Sequence, residues 1–267
     1  MAFAVAADHI FDGATVRRDC AVVIEGTRVR CIIRRGELPA AVATRRLPRG
    51  AWLAPGFIDT QVNGGGDVLF NDDPSPRGIA AIAAAHRRFG TTALLPTLLS
   101  DTQEKMRAAR DAVEAMANRD PSIIGLHYEG PFLSRGKAGV HDRAMIRSPG
   151  PGDLEMLAPV RDGVLLVTLA PERVPTGFIA RLAETRVRVS LGHSMATYAQ
   201  TRAAISEGLT GFTHLFNAMR PLASREPGPI AAALEQRGTW FGLIVDGSTS
   251  PRRCSGWQCE GWAIRCW

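Results

Sequence analysis

The sequence lacks any apolar run that approaches the roughly 20 residues needed to cross a bilayer. Its first residues also carry no basic segment ahead of an apolar stretch, which a secretory signal peptide would need. We therefore expect a cytoplasmic protein with no membrane partner.

Cysteine is scarce and unevenly placed. Cys20 and Cys31 lie near the start, whereas Cys254, Cys259 and Cys266 lie within the last fourteen residues. This distribution is not typical of a disulfide framework. The last three also lack the close pairs usual in structural zinc sites, so we do not expect a zinc ion there.

Lysine is nearly absent, and almost all of the 32 basic residues are arginines, which give the chain a net charge of +6. They occur singly or in short pairs such as Arg17-Arg18 and Arg87-Arg88. No basic stripe with stacking aromatics accompanies them, so we expect no nucleic-acid partner. Solvated helix faces and an anionic substrate account for the positive charge.

The chain of 267 residues, 45% of them apolar, is long enough for a barrel with a small appendage. Residues 1–50 read as short β segments around a turn at Gly26, which predicts a small β domain. Pro55 and Gly56 open a second region, residues 51–247, in which apolar runs alternate with helical patterns. The runs are residues 56–59, 92–96, 123–129, 165–169, 187–191, 210–214 and 241–246.

This alternation favours an α/β fold in which a parallel sheet is covered by helices. Seven strands in this order predict a TIM-type (β/α)8 barrel that is incomplete because its eighth strand is missing. A doubly wound open sheet is the alternative, but no G-x-G-x-x-G motif follows the first strand.

Polar residues stand at the ends of the predicted strands, where barrels carry their functional groups. They are Asp59 and Gln61 after strand 1, Glu129 after strand 3, His193 after strand 5, His214 after strand 6 and Asp246 after strand 7. Glu129, His193 and His214 offer carboxylate and imidazole ligands suited to Zn²⁺ or Fe²⁺. Three protein ligands leave one coordination position open for water, as in a catalytic site.

The other histidines receive structural interpretations. His127 lies two residues before Glu129, where the strand runs into the barrel, so we expect it to be packed or hydrogen-bonded. His86 lies on the apolar stripe of its helix and is expected to be buried. His9 has no partner nearby in the sequence.

Six segments together resemble the N-acetylglucosamine-6-phosphate deacetylases of the amidohydrolase superfamily. They cover roughly residues 50–247 in the family's order. The segments are Ala54-Pro-Gly-Phe-Ile-Asp-Thr-Gln-Val-Asn-Gly, Gly125-Leu-His-Tyr-Glu-Gly-Pro-Phe, Thr168-Leu-Ala-Pro-Glu, Gly192-His-Ser, Thr213-His-Leu-Phe-Asn-Ala-Met and Arg225-Glu-Pro-Gly.

The resemblance implies one divalent metal ion, zinc with iron(II) as the alternative, held by Glu129, His193 and His214. Many amidohydrolases carry His-x-His after strand 1 and bind two metals. Here Gln61 and Asn63 occupy those positions, and amides are poor ligands for such cations, so we expect a single ion.

The resemblance also implies a substrate site and a homodimer. Val140 and His141 match a pair that contacts the substrate, and Asn217 and Ala218 match a pair that holds the sugar phosphate. Arg225 matches an arginine supplied to that phosphate across a dimer interface. A forked guanidinium suits this role because it binds two phosphate oxygens at once.

The implied reaction is hydrolysis of the acetamide of N-acetylglucosamine 6-phosphate to glucosamine 6-phosphate and acetate, a step of amino-sugar catabolism. A metal-bound water would supply the nucleophile. In the family, an Asp at the end of strand 8 serves as general acid and base.

The segment from Ser248 to Trp267 departs from the family. Thr249 stands where the family has a histidine, and no strand-8 Asp follows. We interpret residues 248–267 as an aberrant tail produced by a frameshift or a premature stop. We therefore assign no catalytic acid or base and predict little deacetylase activity, since general acid–base help is typically worth about 10²–10⁴-fold.

Two alternatives remain open. One is another amidohydrolase that opens cyclic amides, although those enzymes usually show His-x-His. The other is an inactive truncated product that at most binds metal or sugar phosphate.

Overall fold

A computed structural model describes residues 2–244, 246, 248 and 249. The interpretation of the tail as aberrant therefore falls, apart from Ser248 and Thr249, outside the described residues. The contacts divide the chain into two compact units, with the division between Phe57 and Ile58.

The first unit is a five-stranded sheet in which β1, β2 and β3 pair antiparallel and β4 and β5 each pair parallel with β1. Its strands are β1 (Ala2–Phe11), β2 (Val16–Glu25), β3 (Arg28–Arg34), β4 (Ala43–Arg46) and β5 (Trp52–Leu53). The order is β3-β2-β1-β4, and β5 also pairs with β1. The predicted turn at Gly26 joins β2 to β3 with a φ of 62°, a left-handed conformation that glycine adopts without steric cost. The predicted small β domain is thus present.

The second unit alternates strands and helices as predicted. Its strands are β6 (Phe57–Val62), β7 (Gly64–Gly65), β8 (Val68–Leu69), β9 (Thr91–Leu99), β10 (Gly125–Glu129), β11 (Val164–Leu169), β12 (Arg188–Leu191), β13 (Gly211–Phe212) and β14 (Trp240–Phe241). Its helices are α1 (Pro76–Arg87), α2 (Gln103–Ala117), α3 (Asp153–Met156), α4 (Phe178–Glu184), α5 (Tyr198–Ser206) and α6 (Gly228–Glu235).

Seven of these strands form one curled sheet in the order β6-β9-β10-β11-β12-β13-β14. The pairs from β9 to β14 are parallel. Strand order follows chain order throughout, so the sheet has no point at which the winding reverses, as a doubly wound sheet would. The barrel-type interpretation is therefore confirmed as a curled parallel half-barrel. The missing eighth strand stays a prediction, because the chain after Thr249 is not described.

Several strand boundaries differ from the prediction, and two of the differences move a candidate polar residue relative to its strand. β6 runs on to Val62, so Asp59 and Gln61 lie within the first strand and not after it. β14 ends at Phe241 and does not reach Asp246. The second error has a physical cause, since the partner that β14 has among the described residues is β13, which is itself two residues long.

The helices carry the apolar stripes that the sequence predicts. In α2, Met106, Ala109, Val113 and Met116 are all buried. In α1, His86 is only half-buried, and its Nε2 lies 2.9 Å from the carbonyl oxygen of Gly64. None of the helices in the described part of the chain is long and apolar enough to cross a membrane.

Candidate metal centre

Three strands of the curled sheet, β10, β12 and β13, bring Glu129, His193 and His214 together, and we call these residues the metal cluster. Glu129 ends β10, while the two histidines each stand two residues after β12 and β13. The Nε2 atoms of His193 and His214 lie 3.0 Å and 3.1 Å from Glu129 Oε1, and 3.1 Å from each other. All three side chains are buried. In the described residues, this is the group whose ligand atoms could hold a metal ion.

The hydrogen bonds of both rings favour a cation at this point. His193 Nδ1 donates to the carbonyl oxygen of Lys137 over 2.7 Å, and His214 Nδ1 donates to that of Asn217 over 3.2 Å. A neutral imidazole that donates from Nδ1 presents a lone pair at Nε2. Two lone pairs and a carboxylate oxygen then converge at about 3 Å, an arrangement that a divalent ion satisfies. The donor set therefore fits a metal ion.

Glu129 is held in place by side-chain amide groups in β6 and directly after it. Gln61 Nε2 donates to Glu129 Oε1 over 2.9 Å, and Asn63 Nδ2 lies 3.5 Å from Oε2. Gln61 and Asn63 thus orient the carboxylate of Glu129 through their side-chain amides.

Both cluster histidines have a left-handed backbone, with φ of 48° at His193 and 37° at His214. Phe216 and Ala218 share this conformation, with φ of 78° and 49°. Such values are uncommon for residues other than glycine and cost free energy. Surrounding bonds hold them: Ser194 N–H donates to the carbonyl of Ala218 over 3.0 Å.

A layer of buried polar side chains lies next to the metal cluster, inside the sheet. His127 Nδ1 donates to the carbonyl of Thr60 over 3.0 Å, so its Nε2 accepts from the Thr168 hydroxyl at 2.8 Å. Thr168 is bonded to Thr213 at 2.6 Å, and Thr213 to Ser190 at 2.7 Å. Burial lowers the pKa of His127 to about 4, so the ring is neutral.

The expectation for His127 is thus confirmed, but the hydroxyl chain of Thr168, Thr213 and Ser190 was missed. One signal was available in the sequence, because Thr213 adjoins His214 and Ser190 precedes His193 by three residues. Threonine is common in any β-strand, however, so its presence in a strand does not by itself indicate a site.

His141 lies beside the metal cluster. Its ring centroid is 4.5 Å from that of His193, and its Nε2 is 3.9 Å from Glu129 Oε2. Its Nδ1 is bonded to Ser100, whereas its buried Nε2 has no hydrogen-bond partner among the described residues. Burial lowers the pKa of His141 to about 4.

The other residues expected to contact substrate lie at the surface. Val140 is 84% exposed, and Asn217 and Ala218 are partly exposed. Arg225 is exposed in the loop before α6, and within the described residues it has no hydrogen bond or ion pair. The structure therefore brings His141 to the metal cluster but does not place Arg225 in contact with it.

Asp246 does not end a strand. Its carboxylate accepts the backbone N–H groups of Ser248 and Thr249 over 2.8 Å and 2.6 Å, and the Thr249 hydroxyl at 2.5 Å. These hydrogen bonds, above all those from Thr249, lower the pKa of Asp246 to about 2. The carboxylate is therefore used in a local turn.

No family model matches the chain. The individual proteins that it resembles nevertheless agree on one family. It is 48% identical over 205 residues to the N-acetylgalactosamine-6-phosphate deacetylase of Shewanella sp. (strain ANA-3), over 76% of this chain and 51% of that protein. It is 36% identical over 240 residues to the N-acetylglucosamine-6-phosphate deacetylase of Haemophilus influenzae, over 89% of this chain and 62% of that protein.

A solved structure agrees with these relatives. The crystal structure of N-acetylglucosamine-6-phosphate deacetylase from Pasteurella multocida superposes with a TM-score of 0.88 at 34% identity, over 94% of this chain and 66% of that one. The chain spans about half to two thirds of the length of the relatives it matches. It belongs to the N-acetylglucosamine-6-phosphate deacetylase family, within the amidohydrolase fold.

Proposed function

We propose that this chain binds one divalent cation in the metal cluster and an N-acetylhexosamine 6-phosphate beside it. The observation that carries the proposal is the convergence of two imidazole lone pairs and one carboxylate, all buried, in a member of this family. Zinc suits two nitrogens and one oxygen best, and iron(II) is the alternative. When bound, the ion supplies Lewis-acid polarisation of the acetamide and an activated water.

In this proposal, different residues around the metal cluster bind different parts of the sugar phosphate. Val140 and His141 contact the sugar and its acetamide, and Asn217 with Ala218 holds the phosphate. In a homodimer, Arg225 binds the phosphate group of the substrate held by the partner subunit. This role accounts for the exposure of Arg225 and for its lack of a hydrogen bond or ion pair within the described residues.

The reaction is hydrolysis of the acetamide. The oxygen of water bonds to the carbonyl carbon, the carbon–nitrogen bond breaks, and a proton passes to the departing amine. That transfer needs an acid, which the family resemblance assigns to an Asp, and residues 250–267 contain none. We therefore propose that turnover is slow in this chain, by about 10²–10⁴-fold relative to an intact relative.

The test begins with metal content and product release from the purified chain of verified mass. Metal per chain is measured by mass spectrometry of the ion, and acetate release is followed with N-acetylglucosamine 6-phosphate and with N-acetylgalactosamine 6-phosphate. A cyclic amide such as a hydantoin is the comparison substrate, and the Haemophilus influenzae relative is the reference enzyme.

We expect one metal ion per chain, binding of at least one of the two sugar phosphates, and acetate release far below that of the reference. Failure to bind metal would refute the proposed site. Hydrolysis of the hydantoin in preference to both sugar phosphates would favour a cyclic amidohydrolase. A kcat equal to that of the reference would refute the slow turnover. Gel filtration tests the homodimer, and cell fractionation tests the proposed cytoplasmic location.

A further inference from the structure

We propose that Asn71 and Ser100 are positioning residues that fix His141 as the tautomer with its proton on Nε2. This makes His141 a hydrogen-bond donor toward the metal cluster and prevents it from becoming a fourth metal ligand. The inference rests on the proposed function only for what accepts that hydrogen bond, an oxygen of the bound sugar phosphate.

The first step concerns Nδ1 of His141. The backbone N–H of Ser100 donates to it over 3.2 Å, and the Ser100 hydroxyl lies 2.9 Å away. A backbone N–H cannot accept a hydrogen bond, so Nδ1 must present its lone pair. In a neutral imidazole the single ring proton then resides on Nε2.

The second step concerns Nε2. The His141 side chain has no exposed surface, and its Nε2 has no hydrogen-bond partner in the described part of the chain. A buried donor that is left unsatisfied destabilises the folded protein. The carboxylate of the metal cluster does not satisfy it, because Glu129 Oε2 is 3.9 Å away, beyond hydrogen-bond range. A ligand oxygen that enters this space would satisfy the donor.

The third step explains how the Ser100 N–H comes to point at the ring. Asn71 pairs with the backbone of Leu99: its Oδ1 accepts the Leu99 N–H over 2.9 Å, and its Nδ2 donates to the Leu99 carbonyl over 3.2 Å. That carbonyl and the Ser100 N–H belong to one planar peptide group and point in opposite directions. Asn71 therefore sets the direction of the Ser100 N–H.

Asn71 is itself held in place. Its Nδ2 also donates to Asp101 Oδ2 over 3.0 Å, and Asp101 Oδ1 accepts the Thr102 N–H over 2.8 Å. Asn71 is 7% exposed and Ser100 6%. The chain of contacts from Asn71 to His141 is thus buried and continuous, which is how outer partners fix the orientation of site residues.

The consequence concerns coordination. Glu129, His193 and His214 all present acceptor atoms to one point, and His141 presents a donor. A ring with a proton on Nε2 cannot bind a cation through that atom. The metal ion then keeps three protein ligands and one open position, which a fourth imidazole would have closed.

The direct test is the nitrogen spectrum of the zinc-loaded full chain labelled with ¹⁵N-histidine, with His141 assigned by comparison with His141→Gln. We expect its Nδ1 to resonate as an unprotonated nitrogen and its Nε2 as a protonated one. The opposite pattern, or a zinc-bound Nε2, would overturn the proposal. This measurement requires no variant of Asn71 or Ser100 to fold.

A matched pair of substitutions tests the donor role. Gln can place an amide N–H₂ near the position of Nε2, whereas Asn reaches only the position of Nδ1. We expect His141→Gln to bind N-acetylglucosamine 6-phosphate nearly as well as the parent and His141→Asn about tenfold more weakly. Zinc affinity should be unchanged in both. A tenfold loss of zinc affinity in both variants would show that His141 is a ligand.

Asn71→Asp tests the positioning. It keeps an acceptor for the Leu99 N–H but removes the donor to the Leu99 carbonyl. We expect the ¹⁵N signals of His141 to shift toward a mixture of tautomers, and Asn118→Asp, on the exposed end of α2, to leave them unchanged. An unchanged His141 spectrum in a folded Asn71→Asp protein would refute the role of Asn71. If the parent chain shows the expected tautomer but does not bind either sugar phosphate, the proposed function is refuted and the inference about Asn71 and Ser100 is not.

Discussion

The two halves of the candidate site are built differently. In the metal cluster, the Nδ1–H group of each imidazole donates a hydrogen bond to a backbone carbonyl oxygen, and the Gln61 amide donates one to Glu129. The rim residues, by which we mean Val140, Asn217, Ala218 and Arg225, lie partly or fully exposed on loops. The side chains of the metal cluster are thus held by hydrogen bonds within the described residues, whereas the rim residues have few such contacts. Metal binding should therefore be separable from sugar-phosphate binding.

The largest effect is expected from Glu129→Gln. The substitution replaces a carboxylate ligand by an amide, a poor ligand for zinc. Since loss of an outer partner alone costs 10–100-fold in metal affinity, we expect at least about a 100-fold loss here. Competition with a chromophoric chelator measures it. Glu104→Gln, on the exposed face of α2, is the control, and an equal loss of affinity in both would refute the assignment of Glu129.

Arg225→Ala should leave the metal half untouched and weaken only the rim. A charged hydrogen bond to phosphate is worth about 1.5–3 kcal/mol, so we expect the Kd for the sugar phosphate to rise about 10- to 100-fold. Zinc affinity should not change. Isothermal titration of the zinc-loaded protein measures both quantities.

The control for Arg225 is Arg237→Ala, which removes another exposed arginine from the same unit. If Arg225 binds a phosphate in the partner subunit, the Kd of the parent protein for the sugar phosphate should also rise when the protein is diluted below the dimer dissociation constant. An Arg225→Ala protein that binds sugar phosphate as well as Arg237→Ala does would remove Arg225 from the site.

The difference between the two halves also explains what could be predicted from the sequence. Glu129, His193 and His214 follow apolar runs, and parallel strands bring their carboxyl ends to one edge of the sheet. Their proximity therefore follows from strand order. The homology-based roles of Arg225 and Ala218 have no comparable geometric basis, since both lie on loops whose conformation local pattern does not determine.

Other features were beyond prediction for physical reasons. The tautomer of His141 depends on the direction of one peptide group at Ser100, which Asn71 sets from 28 residues away in the sequence. The short β14 reflects how little of β13 is available to pair with it. Such details arise from tertiary contacts, whereas a periodic pattern reports only which face of an element is buried.

Thr168→Val tests whether zinc affinity depends on the buried polar side chains beside the metal cluster. The substitution keeps the shape but removes the hydroxyl that donates to His127 Nε2, leaving a buried acceptor unsatisfied at a cost of about 1–3 kcal/mol. We expect urea unfolding to show this loss and zinc affinity to fall by no more than about tenfold. Thr168→Ser, which keeps the hydroxyl, should retain zinc affinity. A full loss of zinc affinity in Thr168→Ser would show that packing, not the hydrogen bond, matters there.

The smallest expected effect comes from Gly139→Ala, which probes how tightly the metal half is packed. Gly139 has a φ of 59°, and an added Cβ would lie 3.3 Å from His193 Cε1, so the ring must move by a few tenths of an ångström. Gly152→Ala is the matched control, because it has a φ of 82° and no atom within 4 Å of the added Cβ. Both variants should lose about 1 kcal/mol of unfolding free energy from the left-handed backbone. Only Gly139→Ala should also weaken zinc, by a few-fold, since a displaced ligand costs less than a lost one. Equal zinc affinity in the two variants would mean that His193 tolerates the shift and that the metal half is less rigid than its hydrogen bonds imply.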